Sequence, residues 1–137
     1  MEQYVKIGVV IIRGSGKGFC SGADLLASAT GVGGQKWDGS EYYNQQHFSG
    51  VIKKMRRIPQ PVIAAVHGAA SGGGFSLALS ADVRIAGESF KGNAAFIKIG
   101  LTGAELGSSY FLPRQIGSSI ASELLLTGNF INAGLLF

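Results

Sequence analysis

Pro61-Val62-Ile63-Ala64-Ala65-Val66-His67-Gly68-Ala69-Ala70-Ser71-Gly72-Gly73-Gly74 decides how the rest of this sequence is read. Val62 to Val66 is short and wholly apolar, the pattern of a parallel-sheet strand covered on both faces. Pro59 and Pro61 stop whatever precedes it. The glycines then open a turn, and the small-residue run from Phe75 to Ala81 predicts a helix. The first N–H groups of a helix have no intrahelical partner, and they sit at the positive end of its dipole. A glycine turn leading into a helix therefore suits an anion or a developing oxyanion.

Upstream, Val5 to Arg13 (VKIGVVIIR) reads as another buried strand, its tail continuously apolar and β-branched. A flexible loop, Gly14 to Gly18, follows. Ser21-Gly22-Ala23-Asp24 is then a second glycine turn placed after an apolar strand. Ala27 to Ser40 is rich in Gly, Ser and Ala and reads as a surface segment. Ser40 can cap a helix, in which Phe48, Val51, Ile52, Met55 and Ile58 recur at helical spacing. Downstream, Asp82 to Ala86 predicts a strand. Phe96 to Leu101 is apolar without a clear period. Ser108 to Gln115 and Ser118 to Leu126 predict helices. Strands alternating with helices imply an α/β fold with parallel pairing, as one domain over residues 1–137.

Composition agrees with a packed domain. Hydrophobic residues make up 46% and charged residues 15%, so the chain can bury a core. The net charge is +4, with Lys53, Lys54, Arg56 and Arg57 clustered. The cluster reads as a solvated helix end, and it would also suit an anionic ligand such as a CoA phosphate. No aromatic residues interleave with it, which argues against nucleic acid. The single cysteine, Cys20, cannot form an intrachain disulfide. The apolar runs, Val9 to Ile12 among them, are too short to span a membrane. Met1-Glu2-Gln3 does not open a signal peptide. The expected compartment is the cytoplasm, with a mitochondrial or peroxisomal matrix as the variant if a targeting segment has been lost.

Rival motifs fail on spacing. Phe19 occupies the position where a GxGxxG loop beginning at Gly14 needs its last glycine, and no GxxxxGK[ST] is present. Gly74-Phe75-Ser76-Leu77-Ala78 approaches the G-x-S-x-G nucleophile elbow, but Ala78 replaces the final glycine. Only His47 and His67 could act as base, and both precede Ser76, the wrong order for that hydrolase fold.

In combination, Gly18-Phe19-Cys20-Ser21-Gly22-Ala23-Asp24-Leu25, Pro61 to Gly74, Leu77 to Ala86, Leu112-Pro113-Arg114 and Leu126-Thr127-Gly128 resemble the crotonase (enoyl-CoA hydratase/isomerase) superfamily, in order and spacing. The resemblance implies an incomplete ββα spiral core, acting on acyl-CoA thioesters of fatty-acid metabolism. By the same resemblance, the N–H groups of Ala23 and Gly73 would form an oxyanion hole for a thioester enolate. Ser21, Ala23, Asp24 and Leu25 would line the CoA side, and the segment from Ala27 to Ser40 would flank the acyl pocket. Asp24 reads equally as a helix cap.

The acid–base residues depart from the hydratase pattern. Ser76 and Phe96 stand where the two hydratase glutamates usually stand, and neither replaces a carboxylate base. Gly103-Ala104-Glu105-Leu106-Gly107 resembles the acidic segment of dienoyl-CoA isomerase-like members. Glu105 is thus the candidate catalytic carboxylate, expected to be buried among apolar neighbours so that it can take up and return a proton. Its structural alternative is a carboxylate at a helix start. One carboxylate suits double-bond isomerisation best, while hydration, hydrolysis and decarboxylation also occur on this scaffold. No metal and no cofactor beyond the CoA of the substrate is expected. The implied partners are an acyl-CoA thioester and further copies of the chain, as trimer or hexamer; nucleic acid and membrane are not. The chain is roughly half of a usual family member, and its apolar end, Ile131 to Phe137, departs from the family pattern. The alternative is an inactive relative that binds CoA ligands or a protein.

Overall fold

The computed structural model describes residues 7–24 and 40–136. In chain order the elements are β1 (Val10–Arg13), α1 (Ser40–Met55), β2 (Val62–Val66), β3 (Ala69–Ser71), α2 (Gly73–Ser80), β4 (Val83–Ala86) and β5 (Lys91–Asn93). Two 3₁₀ turns follow, Ala95–Ile99 and Glu105–Gly107, then α3 (Ser108–Ile116), α4 (Ser118–Thr127), β6 (Ile131–Asn132) and α5 (Ala133–Leu136). The α/β order read from the sequence holds.

β2 is the middle strand of a parallel sheet ordered β1-β2-β4, with Ile12 opposite Ala64 and Ala64 opposite Arg84. Val62, Ala64 and Val66 face the core and are almost wholly buried. Around them pack Phe75, Leu79, Phe90 and Leu112, each under 2% exposed. The other face differs from the double burial expected for β1 and β2. Ile11 and Ile85 are each 60% exposed and Val83 is 48% exposed. Apolar residues on both faces show that a strand can be covered twice, and the described residues cover this sheet once.

A second sheet, ordered β3-β5-β6, was not foreseen. β3 pairs parallel with β5 and β5 pairs antiparallel with β6. Ile131, within the apolar end that reads as a departure, is 4% exposed and lies opposite Gly92. The apolar stretch Phe96 to Leu101 begins as a 3₁₀ turn, with Phe96 buried and Leu101 exposed.

The C-terminal carbonyls of α2 need donors, since the last turn of a helix leaves them unpaired. Arg84 donates to Ala81 O at 2.7 Å and to Leu79 O at 3.4 Å, Gln115 donates to Leu79 O at 3.0 Å, and Arg56 donates to Ser80 O at 3.3 Å. Arg56, one of the clustered cations, also pairs with Asp82. The Val62 N–H donates to Asp82 Oδ2 at 2.8 Å, and the Asp82 N–H donates back to Val62 O at 2.9 Å. Asp82 thus joins the start of β2 to the end of α2.

The Val62 N–H above all, with the Arg56 guanidinium and the charge of Arg84, holds the Asp82 carboxyl below the usual aspartate range, against a smaller opposing effect of burial. A carboxyl depressed in the folded state stabilises the fold fully above its unfolded pKa of about 3.9. That stabilisation is lost as pH falls through the lower folded value. In acid titrations followed by circular dichroism, Asp82→Asn should lower stability at neutral pH and flatten its loss below about pH 4. An acid limb as steep as that of the parent chain would contradict the role given to Asp82.

Candidate functional site

The two glycine turns meet because of one short pairing. Cys20 bridges Ala70 in parallel. The Phe19 and Cys20 N–H groups both donate to Ala69 O, at 3.0 and 3.1 Å, and the Ser71 N–H donates to Cys20 O at 3.0 Å. Segments paired in parallel leave the pairing in the same direction, so Ser21-Gly22 and Gly72-Gly73 emerge side by side. The turns follow this short pairing, not the apolar strands directly as the sequence suggested.

Close approach explains the glycines. Gly22 has φ +88°, and a Cβ there would lie 2.9 Å from Ser71 O and 3.2 Å from Gly73 N. A Cβ on Gly74 would lie 2.0 Å from Cys20 O, a separation no side chain can adopt. The Gly72 N–H donates to Asn93 O at 3.0 Å, and Asn93 Oδ1 accepts from Ser71 Oγ at 2.7 Å. β5 thereby braces the turn from behind. The N–H groups of Ala23 and Gly73 have no partner among the described residues. Gly73 begins α2, so its N–H also sits at the positive end of a helix dipole.

Ser21, Ala23 and Asp24 are exposed beside the turn. Leu25 and residues 27–39 of the segment expected to flank the acyl pocket lie outside the described residues. Phe96, in place of a hydratase glutamate, is 8% exposed, and its Cε1 would be 3.8 Å from a Cβ on Gly72.

Glu105 opens the 3₁₀ turn before α3. It is half-buried, not enclosed as the sequence reading expected, and its carboxylate accepts a hydrogen bond from Gln45 Nε2 on α1. Its neighbour Leu106 has φ +52°, the only positive φ outside glycine among the described residues. Leu106 Cδ1 comes within 3.3 Å of where a Cβ on Gly73 would be. The Glu105 segment therefore reaches the second glycine turn through Leu106. Ser76 and Ser108, both 0% exposed, share a 2.7 Å hydroxyl–hydroxyl bond, and Ser76 Oγ also lies 3.3 Å from Gly72 O and 3.5 Å from Glu105 O. The hydroxyl of Ser76 is thus engaged and shielded, and His67 Nε2 bonds Gly16 O at 2.9 Å. Neither arrangement suits a serine nucleophile and its base.

A cleft of about 550 Å³ opens beside Glu105, with Gln45, Ile52, Ala104, Leu106 and Phe111 among its walls. Gln45, Ser49 and Ile52 reach it from one face of α1, at the i, i+4, i+7 spacing. The face expected from the sequence differs: of its residues Ile52 and Met55 are buried, while Phe48, Val51 and Ile58 are exposed. The contact of Gln45 with Glu105, sixty residues on, has no signal in the sequence. Among the described residues no group of three or more His, Cys, Asp or Glu could hold a metal ion, and no helix is long and apolar enough to cross a membrane.

Two parallel strand–turn units presenting adjacent backbone N–H groups, next to a cleft with one carboxylate, define a member of the crotonase fold class. The enoyl-CoA hydratase/isomerase family model matches residues 1–134, and the chain belongs to that family. A Mycobacterium bovis protein named "Probable enoyl-CoA hydratase echA12" is 46% identical over 129 residues, covering 93% of this chain and 45% of that protein. The 1,2-epoxyphenylacetyl-CoA isomerase of Escherichia coli is 35% identical, covering 97% of this chain and 50% of its own. The crystal structure of an enoyl-CoA hydratase from Polaromonas superposes with a TM-score of 0.86 at 34% identity, over 97% of this chain and 51% of that one. The chain spans about half the length of the relatives it matches.

The close approach at the turns is testable by paired substitutions. Gly74→Ala should cost about 3 kcal/mol in denaturant unfolding, because its Cβ would collide with fixed backbone. Gly50→Ala, in α1 with nothing within 4 Å of a Cβ, should instead stabilise by about 0.5–1 kcal/mol. A tolerated Gly74→Ala would mean that Cys20 and α2 are not in contact.

Proposed function

We propose that this chain carries the enolate-stabilising core of an acyl-CoA enzyme of the hydratase/isomerase type. In this proposal the N–H groups of Ala23 and Gly73 hold the thioester oxygen, and Glu105 moves the proton. Supporting it above all is the close approach of the two turns, where a Cβ on Gly22 would lie 3.2 Å from Gly73 N, with neither donor partnered among the described residues. Donors already fixed where charge develops stabilise a transition state without reorganising, and they act most strongly where water is excluded.

Glu105 takes a proton from the carbon next to the thioester, or from its vinylogous position. The electron pair of the broken C–H bond moves into the conjugated system and puts negative charge on the thioester oxygen. The protonated Glu105 then returns the proton to another carbon of the same system, and the double bond has moved. Isomerisation needs only this one carboxylate, whereas Ser76 and Phe96 offer no second one for hydration. Hydration stays within reach if Glu105 activates a water. Ser21 and Asp24 flank the CoA side of the turn, the CoA itself being part of the substrate. The cytoplasm is the compartment this reading favours.

A second reading, a CoA-binding relative without turnover, is favoured by the same two replacements. Exchange of the acidic protons of an enoyl-CoA in D2O, followed by NMR, separates the two. Exchange should occur and should fall about 10²-fold or more in Glu105→Gln, the scale of a lost general base. Binding without exchange would establish the second reading, and exchange unchanged in Glu105→Gln would remove Glu105 from the mechanism.

A further inference from the structure

Lys53, Arg56 and Arg57 stand together on the rim of the cleft beside Glu105. A helix C-terminus accounts for a cation or two. It does not account for Ile52, Leu106 and Phe111, the apolar residues that line the same cleft. Arg56 is engaged by Asp82 and Ser80 O. Lys53 and Arg57 are exposed and have no partner among the described residues. The cleft therefore combines apolar lining residues with two positive charges that have no partner among the described residues.

The charges are ordered along the cleft. Gln45, which holds the Glu105 carboxylate, lies eight residues before Lys53 on the same helix. At 1.5 Å rise per residue that separates them by about 12 Å along the axis. An acyl group must be neutral near the Glu105 carboxylate and can be anionic only at the far end. Leu106 lines the cleft and also stands beside Gly73, its Cδ1 3.3 Å from where a Cβ on Gly73 would be, so it lies between the turn and the cleft.

We propose that the cleft takes an acyl chain whose far end carries a carboxylate, with Lys53 and Arg57 receiving it. The substrate class is thus the CoA monothioester of a medium-length dicarboxylic acid. This rests on the enolate reading above, which sets the thioester at Gly73. The phosphates of CoA are the other anions that could reach the rim, and the test distinguishes them.

Adipyl-CoA and hexanoyl-CoA have the same number of acyl carbons and differ in the terminal carboxylate. Their affinities, with free CoA alongside, are measured by titration calorimetry at low salt for the chain and for its Lys53→Gln/Arg57→Gln variant. Adipyl-CoA should bind about fivefold more tightly than hexanoyl-CoA, the worth of a partly exposed ion pair. In the variant the ratio should fall to about one. Hexanoyl-CoA binding as tightly as adipyl-CoA would overturn the proposal, as would a preference that survives in the variant. A variant that loses affinity for free CoA as much as for adipyl-CoA would assign the cations to phosphates, which also overturns it. If neither thioester outbinds free CoA, the enolate reading fails and this inference with it. If hexanoyl-CoA outbinds free CoA and adipyl-CoA gains nothing, only this inference fails.

Discussion

The parallel contact between Cys20 and Ala70 is the constraint on which the site depends. It is a single bridge, yet it fixes the direction in which two chain segments leave the second sheet. Once they leave together, no room remains for side chains between them, and glycine follows at 22 and 74. The backbone N–H groups of Ala23 and Gly73 have no partner among the described residues, and Gly73 stands at the positive end of helix α2. β2 and its buried residues Val62, Ala64 and Val66 hold this arrangement against the core.

The Glu105 segment is anchored from the same helix. A left-handed backbone at Leu106 costs about 1–2 kcal/mol for a residue with a Cβ. The Ser76–Ser108 bond, at 2.7 Å and out of water, contributes about 1 kcal/mol and would leave costly unpaired hydroxyls if broken. Burial of Leu112 one turn further on adds about 2 kcal/mol. These terms together exceed the strain, so the turn persists with Glu105 at the edge of the cleft. Ser76 is a strut between α2 and the segment bearing Glu105.

Much of the fold was legible in the sequence because its elements have a period or a boundary. VIAAV is apolar throughout, α3 and α4 begin after glycine, and α1 ends just before Pro59. β3, β5 and β6 were not legible. Ala-Ala-Ser, Lys-Gly-Asn and Ile-Asn are too short to show alternation, and they are strands only because they pair with each other. The exposure of Ile11, Val83 and Ile85 was equally hidden, since burial belongs to what packs on a strand and not to the strand itself. In the site, the glycine turns could be read because only glycine fits them. Gln45 could not, because nothing local to α1 shows that it meets Glu105. The half-burial of Glu105 also escaped the sequence, for the glycines around it mark turns and carry no information on depth.

In the function proposed above, the Ala23 and Gly73 N–H groups converge on one carbonyl oxygen. Isotope-edited infrared spectroscopy of an acyl-CoA labelled with ¹³C at the thioester carbonyl tests this on the bound ligand. Two converging donors in a site shielded from water should move the carbonyl stretch below its value in water. A bound thioester whose carbonyl stretch matches that in water would contradict the account.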